Sequence, residues 1–248
     1  MPLTFTVPGL GDDAVDYLDA WELQRQLHDE VVAGDREDTV VLLEHPAVFT
    51  CGTRTDAHEK PLDPGGAQVI DVDRGGKITF HGPGQLVGYP IVRLPAGVRA
   101  VDYVRRLEEA LIRVCRDFGV ETARVPGRSG VWLQAGFSTG STTELPERKI
   151  AAIGIRVAGG VTMHGFALNC DVDMDWYDRF VACGIADAGV TSLSLELGRD
   201  VTTYDVLASA EKHLAELLAW TPYDRTPDYE PRPEPPRAPR IHLVTPGG

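Results

Sequence analysis

Leu23, Leu27 and Val31 recur at four-residue spacing, acidic residues precede them and Gly34 follows, so residues 12–32 predict a helix closed by a glycine cap. Residues 99–118 predict a second helix. There Val101, Val104, Leu107, Leu111, Val114 and Phe118 trace one apolar stripe, Cys115 lies beside it and Gly119 ends it. Residues 203–220 predict a third, with Val206, Leu214, Leu217 and Leu218 on its apolar side. Short β-branched or alternating runs predict strands at 39–44, 69–73, 77–80, 85–92, 120–125, 130–134, 149–157 and 161–172. His45-Pro46 stops the first of these, and the chain to Pro64 reads as loop. Gly75-Gly76 and Gly82-Pro83-Gly84 mark turns, and residues 136–148, small and polar, read as a surface loop. From Thr221 onward proline alternates with charge and little is left to bury. The pattern therefore predicts a mixed α/β domain over residues 1–220 and a proline-rich, extended or disordered tail over 221–248.

Composition narrows the class of protein. With 24 Lys and Arg against 37 Asp and Glu among 248 residues, the net charge is −13, which argues against a general nucleic-acid binder or a protein held to an anionic membrane by charge. Residues 1–10 have neither a basic nor an apolar leader region, and no run reaches the roughly 18 apolar residues of a membrane span, so a cytoplasmic protein is expected. The 4 cysteines, Cys51, Cys115, Cys170 and Cys183, are too few for a disulfide framework and show no C-x-x-C pair. Each is read as a free thiol.

Four segments carry candidate chemistry. In RGGKITFHGPGQ, residues 74–85, the glycines allow close backbone approach and Ile78 and Phe80 alternate as if lining an apolar channel; a pair of tight hairpin turns is the plainer reading. No phosphate-loop spacing is present. Lys149 heads a nearly continuous apolar strand, where an inward orientation would desolvate it and an outward one would leave an ordinary strand end. His164 precedes Gly165 in MHGFALN, either as a hydrogen-bonded core residue or as a pocket group. Cys183 precedes Gly184, an arrangement that presents a thiol on a turn, or else it is a small buried hydrophobe.

Taken in order, RGGKITFHGPGQLVGYP, KIAAIGIRV, HGFALNC, the CGI at Cys183 and the VTSL that follows resemble the lipoyl(octanoyl) transferase family of lipoate biosynthesis. EHPAVFTCG at residues 44–52 extends the match, which covers about 39–200. The resemblance implies an α/β (α+β) fold with a mixed, largely antiparallel sheet flanked by helices, like that of biotin and lipoate protein ligases. It implies transfer of an octanoyl group from acyl carrier protein to a lysine of lipoyl domains, those of 2-oxoacid dehydrogenase complexes and the glycine cleavage H protein. The family nucleophile falls on Cys183 and its assisting lysine on Lys149. Substrate-lining positions fall on Arg74, Gly75, Gly76, Lys77, Ile78, Thr79, Phe80 and His81, on Ala152, Ile153 and Gly154, and on His164, Gly165, Phe166 and Ala167. Two departures stand out: Ala182 replaces the proline many relatives have before the nucleophile, and the loop at 136–148 is longer than the shortest family versions.

That chemistry is self-consistent. Thioester exchange onto Cys183 is nearly isoenergetic and the amide product lies downhill, so neither ATP nor a metal is expected, and phosphopantetheine arrives on the carrier. A free thiol near pKa 8.5 gains from a cation or base beside it, the role expected of Lys149. His81 and His164 are expected to shape the pocket floor. An octanoyl tail buried along Ile78, Phe80, Ile153 and Phe166 supplies on the order of 5 kcal/mol at roughly 0.8 kcal/mol per methylene. Arg124, Arg128 and Arg148 are expected to form a basic patch for the carrier, or to be solvated loop charges. Rival readings are an ATP-dependent ligase of the same fold group, a non-catalytic scaffold for lipoyl domains or carrier protein, and a thioesterase.

Overall fold

The computed structural model describes residues 3–136, 145–180 and 188–229. In chain order these form β1 (Thr4–Gly9), α1 (Tyr17–Ala33), β2 (Thr39–Leu43), β3 (Val48–Cys51), β4 (Gln68–Asp71), β5 (Thr79–His81), β6 (Gln85–Ile91), α2 (Ala100–Asp117), β7 (Ala123–Val125), β8 (Arg128–Leu133), β9 (Arg148–Ala158), β10 (Val161–Asn169), β11 (Gly189–Val190), α3 (Leu193–Leu197) and α4 (Thr203–Leu217). A large sheet runs β1-β2-β6-β10-β9-β8-β7 with β11 added beside β9, and a small sheet runs β4-β3-β5. Pairings β1 with β2, β3 with β4 and β11 with β9 are parallel; the other pairings are antiparallel. The expected mixed, largely antiparallel sheet with flanking helices is what the chain forms.

The period-2 alternation of the strands sorts the core into two layers. Val40 and Leu42 pack with Leu107, Leu111, Leu214 and Leu217 under α2 and α4. Val41 and Leu43, on the opposite face, pack with Ala20, Leu27 and Val31 of α1. Both faces of β2 and β6 are thus buried, which is why these strands read as continuous apolar runs rather than alternating ones. A third cluster, Phe49, Cys51, Ile78, Phe80, Val172 and Phe180, fills the back of the small sheet.

Several sequence expectations are corrected. The first helix starts at Tyr17 rather than residue 12: Val15 N–H bonds Glu44 O at 2.9 Å, pinning the chain to the end of β2, and Asp16 then caps the helix through Leu18 N–H at 2.8 Å. β1 carries no apolar signal because it is an edge strand, largely exposed. β3 lies in the stretch read as loop, and at four residues it is too short to establish a period. Val101 is 59% exposed and leaves the α2 stripe, which runs instead through Tyr103, Leu107, Leu111 and Val114. The tail also begins later than Thr221. Residues 221–229 are strapped to the domain by polar groups: Arg106 donates to Thr221 O at 3.0 Å, Arg113 to Asp224 O at 3.0 Å, and Tyr229 N–H to Arg124 O at 2.7 Å. Residues 230–248, and residues 137–144 of the expected surface loop, lie outside the described residues.

Candidate active site

A cavity of about 280 Å³ opens where the small sheet meets the α1 face of the large one. Its walls carry Lys77, Thr79 and His81 from the small-sheet side, Ala152, Ile153 and Gly154 from β9, His164, Gly165, Phe166 and Ala167 from β10, and Arg74, Gly76 and Lys149. With a rise of about 3.4 Å per residue, Lys149 and Gly154 stand about 17 Å apart along β9, so the cavity is long rather than round.

Strand phase decides which motif residues reach it. Thr79 and His81 face the cavity, whereas Ile78 and Phe80, both 0% exposed, point into the cluster behind the small sheet, where Phe80 stacks on Trp176 with centroids 4.9 Å apart. The expectation that Ile78 and Phe80 line an acyl channel is therefore corrected. Gly75 is also absent from the wall, because its N–H is bonded to Ile155 O at 2.9 Å, docking the glycine loop onto β9. Gly165 is required by close approach: a Cβ there would lie 2.1 Å from Gly88 O. Ile153 and Phe166 line the cavity as expected.

Lys149 is 8% exposed, and its Nζ lies 4.5 Å from the centroid of the Trp132 ring on β8. Arg128 approaches the same ring at 5.6 Å. Such contacts set the two side chains against the electron-rich face of the ring. Gly130, at φ 110°, leaves a lane along which the Lys149 chain runs; a Cβ there would meet Ala151 O at 2.4 Å and Lys149 Cε at 3.5 Å. Behind Lys149, β11 joins β9 in parallel register, Val190 opposite Lys149, and Thr191 N–H bonds Lys149 O at 3.0 Å. A smaller recess lined by Thr79, Lys149, Ala152, Asn169, Tyr177 and Ala188 continues the cavity toward that strand. Cys183 lies outside the described residues, in the segment between Phe180 and Ala188.

A buried hydrogen-bond chain supports the floor. Arg74 donates to Thr50 O at 2.7 Å and Thr50 Oγ1 at 2.9 Å; Thr50 Oγ1 lies 3.3 Å from His81 Nε2; and His81 Nδ1 donates to Gln85 Oε1 at 2.8 Å. Gln85 Nε2 donates to Asn169 Oδ1 at 2.9 Å, and Asn169 Nδ2 to Thr191 O at 2.9 Å. The chain thus runs from the glycine loop to the residue that bonds Lys149. Burial, with Coulombic pressure from His45 and Arg74, holds His81 well below the ordinary histidine range, so it is a neutral link. His164 sits at the other end in a left-handed conformation, φ 56°, with Nε2 2.7 Å from Asp73 Oδ1. Burial lowers its pKa against the pull of Asp73.

The sequence reading missed Tyr17, Tyr89, Arg54, Gly127 and Ser129, all on the wall. Tyr89 was legible as a position two beyond Val87 on one face of β6; Tyr17 and Arg54 come from segments with no local signal. The basic patch is corrected. Arg124 is fully buried against Glu109 at 2.9 Å, and Arg148 is 6% exposed against Glu196 at 2.6 Å, leaving only Arg128 at the cavity. Cys51, Cys115 and Cys170 are buried free thiols whose pKa values burial pushes up, Cys115 to about 12. Among the described residues Asp56, His58 and Glu59 gather potential metal ligands within 4.8 Å, but Lys77 Nζ already pairs with both carboxylates.

The architecture is that of the lipoate and biotin protein ligases. A bipartite lipoate protein ligase of Thermoplasma acidophilum, solved in a study that also treats its E2 lipoyl domain, superposes with TM-score 0.61 at 16% identity, covering 88% of this chain and 83% of that one. A biotin protein ligase of Aquifex aeolicus in complex with biotin and ATP superposes at 0.52 with 13% identity, covering 86% and 70%. The model for the lipoyl protein ligase A/B catalytic domain matches residues 16–215. An octanoyltransferase of Thermobifida fusca is 58% identical over 225 residues, 91% of this chain and 94% of the relative. The chain belongs to the lipoyl protein ligase A/B family, among its octanoyltransferases.

Proposed function

We propose that this enzyme transfers an octanoyl group from acyl carrier protein to a lysine of lipoyl domains through a thioester on Cys183, with Lys149 as its partner. The Cys183 thiolate attacks the thioester carbonyl, the carrier's phosphopantetheine thiol leaves, and octanoyl-Cys183 forms. The acceptor amine then attacks that thioester, releasing Cys183 as thiolate and giving the amide; the amine's surplus proton passes through a basic side chain to solvent. Activation resides in the incoming thioester, so the reading needs neither ATP nor a metal. The acceptors are lipoyl domains of 2-oxoacid dehydrogenase complexes and the glycine cleavage H protein.

The observation that carries this reading is Lys149: nearly buried at the end of a long cavity, over an aromatic ring, with β11 beside it emerging from the segment that contains Cys183. The three described cysteines support it by contrast, since burial disfavours their thiolates. Intact-mass measurement after mixing with octanoyl-loaded carrier should show one octanoyl adduct on the native chain and none on Cys183→Ala. Adding a lipoyl domain without ATP should discharge it. Transfer that requires ATP and free octanoate, with no adduct, would instead select the ligase chemistry.

A further inference from the structure

Five cationic residues, Arg54, Arg74, Lys77, Arg128 and Lys149, stand on the wall of the cavity, and no carboxylate is among its described lining residues, although the chain as a whole carries a net charge of −13. Such segregation runs against the field of the molecule, so the ligand taken here has an anionic part that an octanoyl chain lacks. Depth divides the five. Arg74 and Lys149 are 7% and 8% exposed, whereas the side chains of Lys77 and Arg128 are 31% and 29% exposed and Arg54 is exposed outright. Lys77 is engaged by Asp56 and Glu59 behind the wall, and Arg128 shares Glu147 at 2.7 Å. Arg54 is held by its backbone, N–H to Gly76 O at 3.1 Å, which fixes the root of the side chain at the lip.

We infer that the outer part of the cavity, with Arg54 and Arg128 as its anchors, binds the phosphate ester of the incoming acyl donor, the phosphodiester of a phosphopantetheine arm. This rests on the acyl-transfer reading and deepens it by assigning the donor's arm a subsite. An arginine fork matches phosphate oxygens in pairs, and a partly exposed site avoids the desolvation that a phosphate would suffer beside Lys149. Two arginines at the lip also give a chain of net charge −13 a local cationic site for an anionic donor. Within a Debye length of about 8 Å the local cations outweigh the distant net charge. A nucleotide offers the same phosphate chemistry, so the test must separate the two sources.

Transfer to a lipoyl domain is compared for octanoyl-phosphopantetheine and octanoyl-pantetheine, which differ only in the phosphate. The native protein is expected to favour the phosphorylated donor by about tenfold in kcat/KM, mainly through KM, and to lose that preference as salt is added. Arg54→Ala and Arg128→Ala should each pull the ratio toward one; the ratio is internally controlled against losses of folding or of chemistry. Equal use of both donors by the native protein overturns the inference. So does a preference that neither variant alters, even where the variants slow a carrier-borne donor, since the cations would then read the carrier's surface. A parallel reaction with octanoate and ATP that both variants abolish would assign the site to a nucleotide and overturn it too. Failure of both thioester donors removes the acyl-transfer reading and this subsite with it, whereas equal use of the two removes the subsite alone.

Discussion

Two regions of this molecule bury cations, and they do so in opposite ways. Under α2, Arg124 lies fully buried against Glu109, which also accepts from Thr226 of the strap that follows α4, while Asp228 of the same strap takes Arg124 Nε at 3.0 Å. In the cavity, Lys149 is set over the Trp132 ring, and Arg74 donates to the carbonyls of Thr50 and Lys77 at 2.7 and 2.8 Å. The strap's charges cancel one another and hold chain to chain. In the cavity the contacts described for Lys149 and Arg74 are to an aromatic ring and to neutral oxygens, while Lys77 and Arg128 on the same wall pair with carboxylates set behind it. Exposure alone does not distinguish the two, since Arg124 and Arg74 are both buried; the identity of the acceptor does.

The sharpest way to break this contrast is to remove one cation from each region. Lys149→Ala should lower octanoyl transfer by about 10²- to 10⁴-fold, the usual range for a lost acid-base or charge-stabilising group, while leaving folding stability within about 1 kcal/mol. Arg124→Ala should do the reverse. It strands Glu109, 1% exposed, as a buried charge with Arg113 and Thr226 as remaining partners, and should cost about 3 kcal/mol in denaturant unfolding, with the rate per folded molecule unchanged. A catalytic loss in Arg124→Ala at full stability, or a large stability loss in Lys149→Ala, would dissolve the distinction.

A buried neutral group extends the comparison to pH. His45 Nε2 lies 2.6 Å from Tyr89 Oη and Nδ1 2.6 Å from Val15 O, and burial holds its pKa down at about 4 against an ordinary 6.5. Its stabilising contribution is complete above pH 6.5. As pH falls below that value the unfolded chain takes up the proton and the folded one does not, so stability declines by about 1.4 kcal/mol per pH unit until about pH 4. The total is up to about 3 kcal/mol. His45→Gln should flatten that slope when unfolding is followed between pH 7 and 4; an unaltered slope would assign acid sensitivity to other groups, His81 first among them.

How far the sequence carried this picture depended on whether a residue's partners lay near it in the chain. Lys149, which its own strand left open between an inward lysine and an ordinary strand end, and the Ala152–Gly154 and Gly165–Ala167 positions followed from the family resemblance, and they line the cavity. Ile78 and Phe80 went astray because alternation gives a strand's period without its phase: Phe49 and Trp176, which claim Phe80, lie in β3 and in the 174–179 turn. Arg124 and Arg148 read as part of a basic docking patch, or as solvated loop charges, because Glu109, Asp228 and Glu196, which bury them, are 15, 104 and 48 positions away. Residues 221–229 read as unattached because the criterion was apolar burial, and apart from Tyr223, which packs against the core, what holds them is mainly hydrogen bonding to carbonyls and carboxylates.

The smallest expected effect tests whether the strap owes its hold to burial or merely to the number of arginines along it. Arg116 is exposed and donates to Thr226 Oγ1 at 3.1 Å, so it meets the same strap residue that Glu109 holds from beneath. In water both groups find solvent partners, and removing such a contact usually changes stability by less than about 0.5 kcal/mol. Arg116→Ala should therefore unfold within that margin of the native protein, although its hydrogen bond is nearly as short as the 3.0 Å Nε bond that Arg124 makes to Asp228. A loss approaching that of Arg124→Ala would mean that the strap is fastened along its outer edge, and that the buried pair is a consequence of its docking rather than the cause.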